Sequence, residues 1–205
     1  MILLTGLQYF ASIIEYKNSI WCMHFKIEQY ERWQKAGFRN RCIIAGANGL
    51  INLSIPVEGG RHSNRLIREV RIDNSHRWQM LHWRSVVSAY NRSPWFEYYK
   101  DEMASFYHTK YDWLWDWNLV LLQWTIKKLG VEVKIDFTES WQKDYLPGAY
   151  LDMRHQVLPK NFTSFAGDCP VYQQVFEDRL GFVPNLSIID LLFCEGPNAV
   201  NLLRQ

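Results

Sequence analysis

The run from Lys35 to Val57, KAGFRNRCIIAGANGLINLSIPV, constrains this chain most. Asn48-Gly49 stands between two apolar runs, Cys42-Ile43-Ile44-Ala45 and Leu50 to Val57. An Asn-Gly pair supplies the positive φ that a tight turn needs, so the run predicts a β-hairpin over 40–57. Lys35, Arg39 and Arg41 gather just before it. On a strand, Arg39 and Arg41 share one face while Asn40 takes the other. Arginine's planar fork suits a carboxylate or phosphate, and lysine adds a point charge. Two readings stay open: an anion site, or a solvated face paired with Glu28 or Glu31.

The flanking segments supply the frame. Ile2 to Leu7 reads as a buried strand, Gln8 to Tyr16 as a short helix and Ile20 to Phe25 as a second strand. That order predicts a parallel pair. Glu28 to Lys35 reads as a helical turn or two, and Gly59 to Asn64 as a loop. Ile67 to Ile72 alternates apolar and charged residues like a half-exposed strand. Asp73-Asn74-Ser75 caps a helix from His76 to Asn91, Pro94 opens one from Trp95 to His108, and Gly130 closes one from Tyr111 to Leu129. A further strand is predicted at Val131 to Ile135. Residues 137–170 show no regular pattern, a length that points to a lid or binding loop. Short helices are predicted over Val171 to Arg179, after Leu186-Ser187, and over Asn198 to Leu203. Together these predict a single α/β domain over residues 1–205, with a central mixed sheet including the hairpin and helices flanking it. Ligand clefts in such sheets lie beyond the carboxyl ends of parallel strands, which puts Gln8 and Tyr9 near a candidate mouth.

Composition removes several function classes. A formal charge of +2 is too small for a nucleic-acid binder, and none is expected as a partner. The four cysteines form no C-x-x-C pair, the histidines lack metal-ligand spacing, and there is no G-x-G-x-x-G or Walker motif. Neither metal nor cofactor is therefore expected. The 10 Trp, 11 Tyr and 11 Phe can build a dense core without disulfides; they also suit sugar stacking or a protein interface. Trp113 to Trp124 contains Asp116 and Asn118 and is shorter than the roughly 20 apolar residues of a membrane span. MILLTGLQYF lacks a basic segment and a cleavage site, so no signal peptide is expected and the cytoplasm is the expected location. Oligomeric state has no sequence signature.

Two further residues carry candidate chemistry. His82 lies on an apolar helical stripe with Arg84 nearby; a buried neutral imidazole serves either as general acid–base or as a satisfied core residue. Asp190 is placed to orient a histidine or arginine, or to serve the helix it begins.

Several blocks are recognisable as a set. They are Ile27-Glu28 with Glu31, Gln34-Lys35, FRNRC at 38–42, the Asn-Gly turn, LSIPV at 53–57 and HWRSV at 82–86. AYNRSPWFEYY at 89–99, VYQQVF at 171–176 and GFVPNLSIIDLLFCEGP at 181–197 complete it. Through these blocks the chain resembles the WbqC-like family of bacterial proteins from end to end. It departs at Ala11-Ser12, where related sequences tend to carry prolines, and at Trp33, where a tyrosine is usual. The resemblance implies a cytosolic protein, some relatives being encoded with enzymes of O-antigen or other surface-polysaccharide synthesis. It carries over the motif residues Lys35, Arg39, Asn40, Arg41, His82, Trp83, Arg84 and Asp190, without an activity. The resulting expectation is a transferase acting on an activated sugar or amino-sugar precursor. His82 and Asp190 would be catalytic. Gln8, Tyr9, Lys35, Arg39, Asn40, Arg41 and Arg84 would bind a small anion, a nucleotide-sugar or another phosphate or carboxylate. The alternative is a non-catalytic binding or assembly protein with an aromatic-rich interface.

Overall fold

The structure, a computed structural model, describes residues 1–59, 64–146 and 148–205. Most of the loop expected over 59–64, and Pro147, lie outside the described residues.

The fold is α/β, with parallel and antiparallel strands flanked by helices. Strand β1 (Ile2–Gly6) leads to helix α1 (Ile13–Cys22) and back to strand β2 (His24–Glu28), which lies parallel to β1. Strands β3 (Arg41–Gly46) and β4 (Gly49–Ser54) form the predicted hairpin, closing at Gly49 with φ 127°. Three helices follow: α2 (Trp78–Tyr90), α3 (Phe96–His108) and α4 (Leu114–Leu129). Gly130 ends α4 in the left-handed conformation, where a residue without Cβ escapes the steric penalty. Strands β5 (Lys134–Phe137) and β6 (Tyr150–Asp152) come next, then α5 (Glu177–Leu180), α6 (Ile188–Glu195) and α7 (Ala199–Leu203).

The four parallel strands stand in the order β5-β2-β1-β6, and the hairpin keeps its own two-stranded ladder. From β1 the chain moves outward to β2 and β5, then returns to β6 on the other side of β1. The strand order therefore reverses between β1 and β6. At such a switch point the connections leave in opposite directions and open a crevice at the carboxyl ends of the strands. Gly6 and Asp152 end the two strands there.

Local readings missed where distant partners decide. Helix α1 begins five residues later than its apolar spacing suggests, because Phe10 takes φ 42° and Ser12 is extended. Its first N–H groups bond instead to Leu186 O and to Asn185 Oδ1, from near the other end of the chain. Residues 20–22 continue this helix rather than starting a strand, and Met23 ends it at φ 53°. Glu28 ends β2, and Ile67–Glu69 is a 3-10 turn rather than a strand. The short strand β6 interrupts the segment 137–170.

The core sits where the hairpin, α2, α4 and the first strand meet. Trp117 is fully buried, with Tyr9, Trp78, Tyr107 and Tyr111 ring centroids between 5.1 and 5.9 Å away. The four cysteines are buried as free thiols. Among the described residues, no helix is long and apolar enough to cross a membrane.

Candidate functional site

The switch point carries a buried ion pair. Arg39 lies just ahead of β3, where Asn118 Nδ2 of α4 donates to its carbonyl at 2.7 Å. Its Nε donates to Glu31 Oε1 at 2.6 Å, and its Nη2 completes the fork on Oε2. Both side chains are almost wholly buried, 6 % and 2 % exposed. The backbone is shaped around them. A Cβ added at Gly6 would stand 2.8 Å from Glu31 Oε1, and one at Gly37 would stand 2.7 Å from Arg39 Nη1. Only glycine admits those approaches without a shift.

His155, just beyond β6, completes the group. Arg39 Nη2 reaches its Nδ1 at 3.1 Å. A guanidinium only donates, so Nδ1 accepts and the neutral ring carries its proton on Nε2. Burial, and then the charge of Arg39, hold its pKa below the ordinary histidine value. His155 sits at φ 59° and Ala36 at φ 71°, two non-glycine residues in the left-handed region on one wall. Backbone held there costs on the order of 1–3 kcal/mol each and gathers at functional sites.

Above this floor opens a cleft of about 340 Å³, lined by Gln34, Lys35, Ala36, Gly37, Arg39, His155 and the 158–160 turn. Lys35 and Lys160 are exposed at its rim, and neither has an ion-pair partner among the described residues. Arg39 is neutralised by Glu31, so the two lysines supply the uncompensated charge. A neck of about 10 Å³ at Gly6, Gln8 and His155 leads inward. Gly6 and Gln8 also line an inner space of about 20 Å³ that contains Glu15. Each is comparable to the room one water needs.

Glu15 lies on the first turn of α1, 2 % exposed. Gln8 Nε2 donates to its Oε1 at 2.8 Å and Thr5 Oγ1 to its Oε2 at 3.2 Å. Burial pushes this carboxyl up to about 7, and the two hydrogen bonds offset only part of that. With its nitrogen facing Glu15, Gln8 turns Oε1 away, buried and without a protein donor.

A raised carboxyl pKa has a calculable consequence. The folded state holds the Glu15 proton between the ordinary value of 4.5 and about 7, while the unfolded state releases it. Stability from this group is therefore full below pH 4.5 and is lost as pH rises through 7. The loss is about 3 kcal/mol at one pKa unit per 1.36 kcal/mol. Glu15→Gln should remove that slope: its stability relative to the parent should rise by about 2–3 kcal/mol from pH 5 to pH 8 in urea melts.

The structure separates the residues singled out from sequence. Lys35, Arg39 and Gln8 line the cleft and its neck. Arg39 pairs with Glu31, as the plainer reading expected, but the pair is buried rather than on a solvated face. Asn40 clasps the hairpin base, its Nδ2 donating to Ile55 O at 2.8 Å. Arg41 is half-buried on β3, outside the cleft lining, with Nε unpartnered. Tyr9 is core: its hydroxyl meets Tyr107 at 2.7 Å and His82 Nδ1 at 3.1 Å. His82 is buried in that cluster, and burial pulls its pKa down to about 4, leaving a neutral ring. Trp83 stacks on Phe96 and Tyr107, and Arg84 is exposed on α2. Asp190 is wholly buried and accepts from Tyr90 and Tyr172, each at 2.6 Å.

Sequence reasoning missed His155 and Lys160 in the cleft and Glu15 in the inner space behind it. Glu15 had a signal, a carboxylate inside the apolar run Ile13-Ile14-Glu15-Tyr16. His155 and Lys160 follow a three-residue strand too short for periodicity to register.

Comparison with known proteins agrees with this end-to-end pattern. The profile of the WbqC-like protein family matches residues 8–160 and 157–202. An uncharacterized protein of Mycobacterium tuberculosis, Rv1507c, is 28 % identical over 202 residues, covering 84 % of each chain. No solved structure matches. The chain belongs to the WbqC-like protein family.

Proposed function

We propose that this protein is a transferase acting on an activated sugar or amino-sugar precursor, with its anionic group held in the cleft above the Glu31–Arg39 pair. The observation that carries this reading is the convergence of Lys35, Lys160 and His155 on one cleft at the β1–β6 switch point. Two ammonium groups without carboxylate partners favour a phosphate or carboxylate. The buried pair beneath holds the floor rigid, so the ligand meets a preorganised surface. Gln8 Oε1, fixed as an acceptor behind a neck sized for one water, suits a water that bridges to a hydroxyl or amine of the ligand. Glu15, near neutrality in its proton equilibrium, is suited to take a proton from such a group through one intervening water in the inner space. His82 lies outside this cleft, so the acid–base part passes to Glu15 and the imidazole donor to His155.

The test pairs binding with turnover. Nucleoside-diphosphate sugars, amino sugars included, are titrated calorimetrically and their products followed by mass spectrometry. Lys35→Ala with Lys160→Ala should weaken binding by about tenfold or more, each charge-assisted contact contributing about 1.5–3 kcal/mol. Glu15→Gln should lower kcat with little change in KM. Binding that is lost in the lysine variant while no product forms in any mixture would favour the non-catalytic alternative. Binding unchanged in that variant would remove the site.

A further inference from the structure

A cavity larger than the switch-point cleft lies elsewhere. A groove of about 690 Å³ runs between the α2–α3 corner and the segment leading into α5. It shares no lining residue with the switch-point cleft. One wall presents Asn91, Arg92 and Pro94; the other presents Gln173, Phe176 and Arg179. Both arginines are exposed, and among the described residues neither guanidinium has a hydrogen-bond or ion-pair partner. Like charges brought to one groove from separate segments repel unless an anion lies between them.

The walls are held in place from behind. Asp190 of α6 accepts from Tyr90, next to Asn91, and from Tyr172, next to Gln173. One buried carboxyl thus ties both walls to the same helix. Gln174 locks the second wall further: its Nε2 donates to Val183 O at 2.8 Å, and its Oε1 accepts from Val183 N at 2.8 Å. The walls of the groove are accordingly held in a fixed shape, and a preorganised backbone lowers the ordering cost of binding.

We propose that this groove is a second binding site, for a small organic anion bearing two negative groups, clamped between Arg92 and Arg179 with its apolar part against Phe176 and Pro94. The pairing of guanidinium forks with phosphate or carboxylate oxygens sets the ligand class. Asn91 and Gln173 add neutral hydrogen-bonding groups between them. Asp190, singled out from sequence as catalytic, acts here as a positioning residue.

The probes are inorganic pyrophosphate and citrate, one phosphate and one carboxylate, followed by amide chemical shifts of the full chain. Expected are saturable shifts at Asn91, Arg92, Gln173 and Arg179. They should weaken about tenfold or more in Arg92→Ala/Arg179→Ala and persist in Lys35→Ala/Lys160→Ala. Citrate alone giving them would assign carboxylates, and pyrophosphate alone phosphates. Both arginines are exposed, so the variant should melt at nearly the parent's temperature. Shifts absent from these residues with both probes, or unchanged by the arginine substitutions, would overturn the site. Neither outcome bears on the lysine cleft, whose own test is separate.

Discussion

Arg39→Met should destabilise the fold by about 3–5 kcal/mol at neutral pH, because it leaves the Glu31 carboxylate buried without its counter-charge. Glu31 is 2 % exposed and walled by Gly6, so water cannot replace the guanidinium without the strand end opening. His155, 3.6 Å from Glu31 and neutral in the parent, is the group able to respond. In the variant it loses the repulsion from Arg39 and gains an unpaired carboxylate, so its pKa should rise. The penalty should then shrink at lower pH, as His155 takes up a proton. Replacing both partners, Glu31→Leu with Arg39→Met, should cost much less than the single change, because no orphaned charge remains. Urea melts of the three variants measure this directly. A single-variant loss below about 1 kcal/mol would mean that solvent reaches the pair.

Trp117→Ala should cost a comparable amount, about 3–5 kcal/mol, by emptying the centre of the aromatic core. Four rings lose their packing partner at once: Tyr9, Trp78, Tyr107 and Tyr111. Trp117→Phe separates packing from polarity. Among the described residues the buried indole Nε1 has no acceptor, so the smaller ring also removes an unsatisfied donor. Its cost should fall below about half that of alanine. Equal losses for the two variants would point to an acceptor for Nε1.

These two sites show what the sequence reveals. The hairpin was legible because Asn48-Gly49 and its flanking apolar runs are local signals, and they determine the turn by themselves. Helices α2, α3 and α4 were legible for the same reason, through Pro94, Gly130 and their apolar stripes. Helix α1 was misplaced because its first N–H groups bond to Asn185 and Leu186, which no local window contains. Strand β6 was missed because three residues carry no period; it is fixed by pairing with β1. The site divides in the same way. A cluster such as Lys35 and Arg39 is visible in one dimension. That Arg39 finds Glu31, that His155 joins them, and that His82 stays in the core with Tyr9 and Tyr107 are products of the packed topology.

The aromatic content resolves along similar lines. Trp33, Trp78, Trp115, Trp117 and Trp124 are buried, so much of it serves the core. Trp21 and Trp141 are more than half exposed, one at the end of α1 and the other in the segment after β5.

On the proposed function, the β1–β6 switch point holds an anionic small molecule. Amide chemical-shift mapping during titration with a nucleoside-diphosphate amino sugar, UDP-N-acetylglucosamine, tests it most directly. Saturable shifts are expected at Gly6, Gln8, Lys35, Gly37, His155 and Lys160, lost when Lys35 and Lys160 are both alanine. Shifts confined to other surfaces, or a spectrum unmoved by this and other phosphate- or carboxylate-bearing sugars, would contradict it.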